Sequence, residues 1–136
     1  MIKSEYKIRV RYAETDMMGV VYYGNYSQYY EVARTELLRN LGMSYKEFEE
    51  RGYKLPVYKM NITYYYPAEY DDLLRIETIM PEKPSIKMKF LHKIYNEQNI
   101  LINEAEVVLV FTNNKTKKAC TPPDFFSKLI STNYKD

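Results

Sequence analysis

From Glu5 to Tyr12 apolar and charged positions alternate, with Tyr6, Ile8, Val10 and Tyr12 on one side and Glu5, Lys7, Arg9 and Arg11 on the other. A period of two with one apolar face predicts a half-buried strand. Thr15 to Gly19 breaks the alternation and reads as a loop. Beyond Gly24 the period lengthens: Tyr26, Tyr29, Tyr30, Ala33, Leu37 and Leu41 recur at helical steps along one face. Asn25 stands at the N-cap position and Gly42 where the helix must stop. A helix of that extent is roughly 25 Å long, enough to run across a whole sheet. Ser44-Tyr45-Lys46-Glu47 has capping-box spacing and predicts a short second helix to Arg51, closed by Gly52.

The remainder reads as strands: Leu55 to Tyr66, Leu73 to Met80, Ile86 to Tyr95 and Ile100 to Thr112. Pro67, Pro81-Glu82-Lys83-Pro84 and Asn96-Glu97-Gln98-Asn99 punctuate them. Asn113-Asn114 marks a tight turn, Lys117 to Thr121 a short last strand, and Pro122-Pro123-Asp124 the start of a terminal helix. Strands joined by short turns form an antiparallel sheet, and the long helix has to bury its apolar face on it. The expected fold class is therefore α+β, a curved antiparallel sheet wrapped around one long helix. Repeats, linkers and low-complexity segments are absent from the sequence, so residues 1–136 read as a single domain.

Composition narrows the function. Apolar residues make up 46% of the chain, enough for a core, and the net charge of +2 is too small to point to nucleic acid as a partner. One cysteine, Cys120, excludes an intrachain disulfide and fits a reducing compartment. The segment Met1-Ile2-Lys3-Ser4-Glu5 has no apolar signal core, and no apolar run reaches membrane-span length. The expected location is cytoplasmic, with no membrane insertion. Sixteen tyrosines and no tryptophan fit half-buried strands, and only the tyrosines near Asp16 suggest a ligand cleft.

The densest chemistry lies between Tyr12 and Tyr26, where Asp16 ends a strand-like segment just before the helix starts. That order can aim a carboxylate at the positive end of a helix, where a polarised carbonyl would sit. From spacing alone, a loop or capping acid is an equal reading. Thr15-Asp16-Met17-Met18-Gly19-Val20-Val21-Tyr22, the helix Asn25-Tyr26-Ser27-Gln28-Tyr29-Tyr30-Glu31-Val32-Ala33-Arg34-Thr35-Glu36, the turn Tyr70-Asp71-Asp72-Leu73 and Asn103-Glu104-Ala105-Glu106 follow one another in the chain. In this order they resemble the hotdog-fold acyl-CoA thioesterases of the 4-hydroxybenzoyl-CoA thioesterase type. Within that family the match is to short bacterial enzymes that include the Tol–Pal-associated one.

The resemblance covers Tyr6 to Ala119 and implies a homodimer or homotetramer with its site between subunits. It implies hydrolysis of an acyl-CoA to a carboxylic acid and free CoA, with no metal or redox cofactor. It assigns attack to Asp16, as nucleophile or as base for water, and carbonyl polarisation to the backbone N–H of Tyr23. Relatives in the subgroup often carry histidine where this chain has Tyr23. Glu31 matches a position that meets substrate or the neighbouring subunit in some relatives; a carboxylate paired with Arg34 is the plainer reading. Gly19 lies in the matched loop, where it serves the backbone turn before any contact with substrate.

Lys115, Lys117 and Lys118, and separately Lys83 and Lys87, form basic turns that can meet the phosphates of CoA or simply face solvent. His92, the only histidine, falls on the apolar side of a strand and reads as structural. It leaves no Ser-His-Asp triad, and one His with one Cys makes no zinc site. Two rivals share the fold: a non-catalytic module binding acyl-CoA or acyl carrier protein, and a thioesterase acting on acyl carrier protein.

Overall fold

The computed structural model describes residues 1–135. Strands β1 (Ile2–Arg9), β3 (Val57–Tyr64), β4 (Leu73–Met80), β5 (Lys87–Tyr95) and β6 (Leu101–Val110) form one sheet in the order β1-β4-β5-β6-β3. All four pairings are antiparallel. Helix α1 (Tyr26–Leu41) lies on the inner face of this sheet, and this is the hotdog arrangement expected from the sequence. A two-stranded ribbon joins β2 (Tyr53–Lys54) to β7 (Thr112–Asn113), and helices α2 (Tyr45–Glu50) and α3 (Asp124–Asn133) close the far end. No helix among the described residues is long and apolar enough to cross a membrane.

The alternations seen in the sequence set the inner face. Leu74, Ile76, Thr78 and Met80 of β4 and Met88, Phe90, His92 and Ile94 of β5 are all buried beneath α1. Tyr26, Tyr29, Tyr30, Ala33, Leu37 and Leu38 of α1 meet them. The core divides along the helix: a tyrosine-rich half near its start, and a half rich in Phe and Met where Phe48, Phe90, Phe111 and Phe126 gather. Gly42 ends α1 at φ +119, a left-handed conformation that an L side chain rarely adopts.

Several boundaries differ from the sequence reading, each for a local reason. The first strand runs Ile2–Arg9 and stops before Tyr12, which lies in a single 3₁₀ turn (Tyr12–Glu14) and is exposed. The Glu14 carboxylate reaches back to the Arg11 N–H at 2.8 Å and folds the chain into that turn. The segment Leu55 to Tyr66 is not strand throughout: it holds one strand with shorter bounds, β3 (Val57–Tyr64). Pro56 separates β2 from β3, and the register shifts again between Val57 and Lys59. At its other end the N–H groups of Tyr65 and Tyr66 both donate to the Ile102 carbonyl. Lys117 to Thr121 is no strand either. Asn113 Oδ1 accepts from the N–H groups of Lys115 and Thr116, Lys117 sits at φ +62, and only an isolated bridge pairs Ala119 with Thr112. Ser44 caps α2 as its spacing predicts, accepting from the Glu47 N–H at 3.1 Å.

His92 is structural, as its strand position suggested. Its Nδ1 meets the Thr78 hydroxyl at 2.9 Å, and the Tyr30 ring stacks on it at 4.6 Å. Burial, and then the charge of Arg34, push its pKa down to about 3, so the ring stays neutral.

Candidate active site

Asp16 opens a tight reverse turn. Thr15 pairs with Val21, the Asp16 N–H donates to the Val20 carbonyl at 2.9 Å, and the Gly19 N–H donates to the Asp16 carbonyl at 3.0 Å. Gly19 takes φ +81 and nothing lies within 4 Å of where its Cβ would be. Its requirement is therefore backbone conformation and not space. One carboxylate oxygen of Asp16 accepts the Met18 N–H at 2.9 Å. Met17 and Met18 at the tip are exposed, which puts the half-buried Asp16 at the base of the turn, against the protein.

A residue that the sequence reading passed over holds this turn in place. Glu14 is buried and accepts hydrogen bonds from the Tyr29 hydroxyl (2.8 Å), the Arg11 N–H (2.8 Å) and the Arg11 guanidinium (3.1 Å). Its own carbonyl accepts from the Tyr22 N–H and from Asn25 Nδ2. Asn25 therefore does not cap α1 with its side chain, as the sequence suggested. It sits in helical conformation and ties the Glu14 turn to the helix start instead. Burial raises the Glu14 pKa, but the Arg11 backbone N–H, the Tyr29 hydroxyl and the Arg11 side chain outweigh it and hold the carboxyl below its ordinary range. The signal was present in the sequence as a second acid two residues before Asp16, but a carboxylate pointing inward cannot be told from one pointing outward without its partners.

The chain enters α1 through a 3₁₀ turn, Tyr23–Asn25. The N–H groups of Tyr22 and Asn25 are bonded to carbonyls, whereas those of Tyr23 and Gly24 open the turn and have no backbone acceptor among the described residues. Free amides at a helix start attract negative charge. A Cβ on Gly24 would come within 2.8 Å of the Tyr22 ring. Tyrosines crowd this end of the molecule. Tyr23 packs on Tyr22 (4.7 Å) and meets Tyr64 edge-on (6.4 Å), Tyr64 leans on Tyr26 (5.8 Å), and Tyr12 meets Tyr70 (5.5 Å). The structure thus gathers Asp16, Gly19 and Tyr23 around one turn and one helix start.

The other candidates fall elsewhere. Glu31 is exposed on α1 and makes no ion pair with Arg34 among the described residues. Both residues line a cavity of about 310 Å³ with Thr35, Tyr45, Val57 and Phe90. Lys115, Lys117 and Lys118 sit on the turn after β7. Asn103, at the start of β6, pairs with Tyr64 beside Tyr23, whereas Val110 ends β6 next to that turn. Within one chain the lysines and Asp16 therefore lie toward opposite ends of β6. Lys83 and Lys87 already lie over the rings of Tyr134 and Tyr58. No group of three or more His, Cys, Asp or Glu among the described residues could hold a metal ion.

Comparison with known proteins places the chain in a family. Residues 10–130 match the model of the thioesterase-like superfamily. The acyl-CoA thioester hydrolase YbgC of Escherichia coli is 41% identical over 103 residues, 76% of this chain and 77% of that one. The putative acyl-CoA thioesterase YneP of Bacillus subtilis is 40% identical over 93 residues, 68% and 67% of the two chains. Among solved structures, the DHNA-CoA thioesterase of Staphylococcus aureus superposes with a TM-score of 0.91 over 97% of this chain and 91% of that one, at 30% identity. In sequence and in fold, the chain belongs to the thioesterase-like superfamily, as the resemblance of its Asp16 segment implied.

Proposed function

We propose that this protein hydrolyses acyl-CoA thioesters, with Asp16 activating the attack and the helix start polarising the carbonyl. The observation that carries the reading is that Asp16, on a turn closed by its own backbone, is followed within the same short segment by the acceptor-free N–H groups of Tyr23 and Gly24 at the helix start. A thioester oxygen at those amides gains the helix-end potential as it becomes an oxyanion. With Asp16 as base, the carboxylate takes a proton from water, the water oxygen bonds the acyl carbon, and the C–S bond breaks. The proton passes to the departing sulfur, leaving carboxylic acid and CoA thiol. With Asp16 as nucleophile, its oxygen displaces CoA thiolate from the acyl carbon to form an acyl-aspartyl anhydride; water then cleaves the anhydride, restoring the Asp16 carboxylate, releasing the carboxylic acid and supplying the proton that the thiolate takes up. Both routes consume one water and use the same two groups. The 41% identity to a named acyl-CoA thioester hydrolase favours catalysis over a non-catalytic binding module. Release of free thiol from a panel of acyl-CoAs and from acyl carrier protein thioesters tests this function. Absence of thiol release from every thioester would leave only binding.

The site's completion calls for a second copy. β3 is an edge strand flanking α1, and Val57, Tyr58 and Tyr64 on it are all exposed. An unpaired edge with exposed apolar side chains invites association. The protein is expected to be at least dimeric at micromolar concentration, and light scattering that finds a fully active monomer would refute this.

Lys115, Lys117 and Lys118 are proposed to meet CoA phosphates supplied by a partner subunit's site. Replacing all three with Ala should raise KM with little change in kcat, an effect that shrinks with salt because exposed charges are screened over about 8 Å at physiological ionic strength. An unchanged KM at low salt returns them to a solvated turn and moves attention to Lys83 and Lys87.

A further inference from the structure

The acidic turn and the helix start are separate pieces of chain, and one side chain bonds them together. The acidic piece is the Asp16 turn, which follows Glu14 by two residues. The other piece is the 3₁₀ turn that leads into α1. There the Asn25 N–H closes on the Tyr22 carbonyl at 2.9 Å, and the Tyr26 N–H closes on the Tyr23 carbonyl. The Ser27 hydroxyl donates to the Gly24 carbonyl at 3.0 Å. The carbonyls of Tyr22, Tyr23 and Gly24 are therefore occupied, while the N–H groups of Tyr23 and Gly24 have no backbone acceptor among the described residues.

Asn25 takes part in both pieces. Its backbone N–H closes the amide turn, and its side-chain Nδ2 donates to the Glu14 carbonyl at 2.9 Å. The same carbonyl takes the Tyr22 N–H at 3.0 Å. One acceptor thus receives the two ends of the amide turn, Tyr22 and Asn25, which fixes the turn's rotation as well as its distance. An asparagine before a helix ordinarily turns its side chain on a free amide of that helix. Here α1 starts without a side-chain cap bond, and the half-buried carboxamide reaches the acidic segment instead. Without that bond the Tyr22 N–H and the Thr15–Val21 bridge still join the two pieces, but only at one end of the amide turn. The turn then becomes free to rotate without the fold being lost.

We propose that Asn25 is a positioning residue for thioester hydrolysis, its side-chain bond to the Glu14 carbonyl setting the Tyr23 and Gly24 amides in register with Asp16. This rests on the acyl-CoA reading above and deepens it by naming the residue that holds the two reacting groups together. The thioester oxygen gains most from the amides as it becomes an oxyanion, while Asp16 acts on the attacking oxygen from another segment. A misplacement of about 1 Å between such groups costs about 10²-fold in rate. Binding of the rest of a CoA thioester does not depend on that register. Loss of the bond therefore lowers kcat with little change in affinity.

The test compares Asn25→Leu and Asn25→Asp with the unmodified protein. Both keep the branched shape at Cγ and lose the N–H donor. Leu adds no charge, and Asp keeps polarity and places an acid at a helix start, where it is favourable. Rates are read below the onset of each variant's thermal melt, so that only folded protein is compared. Each variant should lower kcat on the best acyl-CoA by about 10–100-fold. The dissociation constant for S-hexyl-CoA, a thioether that cannot be hydrolysed, should stay within about threefold. The amide nitrogen-15 resonances of Tyr23, Gly24 and the Asp16 turn should shift together, while those of β4 and β5 stay in place. If Asn25→Leu fails to fold, Asn25→Asp decides alone. A kcat within about twofold of the unmodified value overturns the proposal. So does a fall in kcat matched by an equal loss of S-hexyl-CoA affinity, which would make Asn25 a binding residue. If the unmodified protein releases thiol from no thioester, the hydrolytic reading fails. The amide resonances then still decide whether Asn25 holds the two turns in register, and unshifted resonances would refute that too.

Discussion

Replacing Asp16 with Asn is expected to lower kcat by about 10²–10⁴-fold, the usual contribution of a group that moves a proton in the transition state, while acyl-CoA still binds. The substitution is mild structurally. Its amide oxygen can still accept the Met18 N–H, and the turn is closed by backbone bonds from Asp16 to Val20 and from Gly19 to Asp16 that the side chain does not touch. What the amide lacks is the ability to take a proton or to form an anhydride. Measuring kcat on the best acyl-CoA decides the matter, because a variant turning over near the unmodified rate would remove Asp16 from the chemistry.

Glu14→Ala should damage both the fold and the reaction. It leaves the Tyr29 hydroxyl and the Arg11 N–H without their carboxylate acceptor in a buried place. Losing such partners costs on the order of 2–4 kcal/mol, and a displaced Asp16 turn can cost roughly 10²-fold in rate. Glu14→Gln separates the two roles, since it keeps an acceptor and loses the charge. Folding depresses the Glu14 pKa, so the carboxylate's stabilisation is complete above the unfolded carboxyl value and is lost as pH falls through the lower folded value. The stability gap between unmodified protein and Glu14→Gln should therefore close in acid, as followed by thermal melts across pH. A gap that persists unchanged below the carboxyl range would mean the charge of Glu14 contributes nothing.

The outcome of the sequence reading divides along the distance over which each signal acts. The period-two alternation of β4 and β5 and the helical spacing of α1 report which face is buried, and a buried face is decided residue by residue. Those elements accordingly came out with bounds close to the structure's. The breaks at Pro56 and at Tyr12 escaped because apolar content continues through them while hydrogen bonding does not. Asp16, Gly19 and Tyr23 stood out because they fall close together in the segment that carries the family resemblance. Arg34 and Glu14 were hidden for the opposite reason. Each is a common charged residue whose meaning lies in its surroundings: the Tyr29 hydroxyl for Glu14, and for Arg34 a buried Nη1 with no partner among the described residues. The lysines of the last turn illustrate a further limit, because proximity in space depends on the length of β6, which composition does not convey.

Most bonds that fix the acidic turn fall between Arg11 and Tyr29, and the Val21 N–H adds one to the Ala68 carbonyl. The cavity holding Arg34 draws instead on Tyr45, Val57, Phe90 and Leu109, spread through the rest of the chain. The two can drift independently. Mutations that reshape that cavity need not disturb the acidic turn. Such a division lets the cavity walls vary along a lineage while the turn is inherited unchanged.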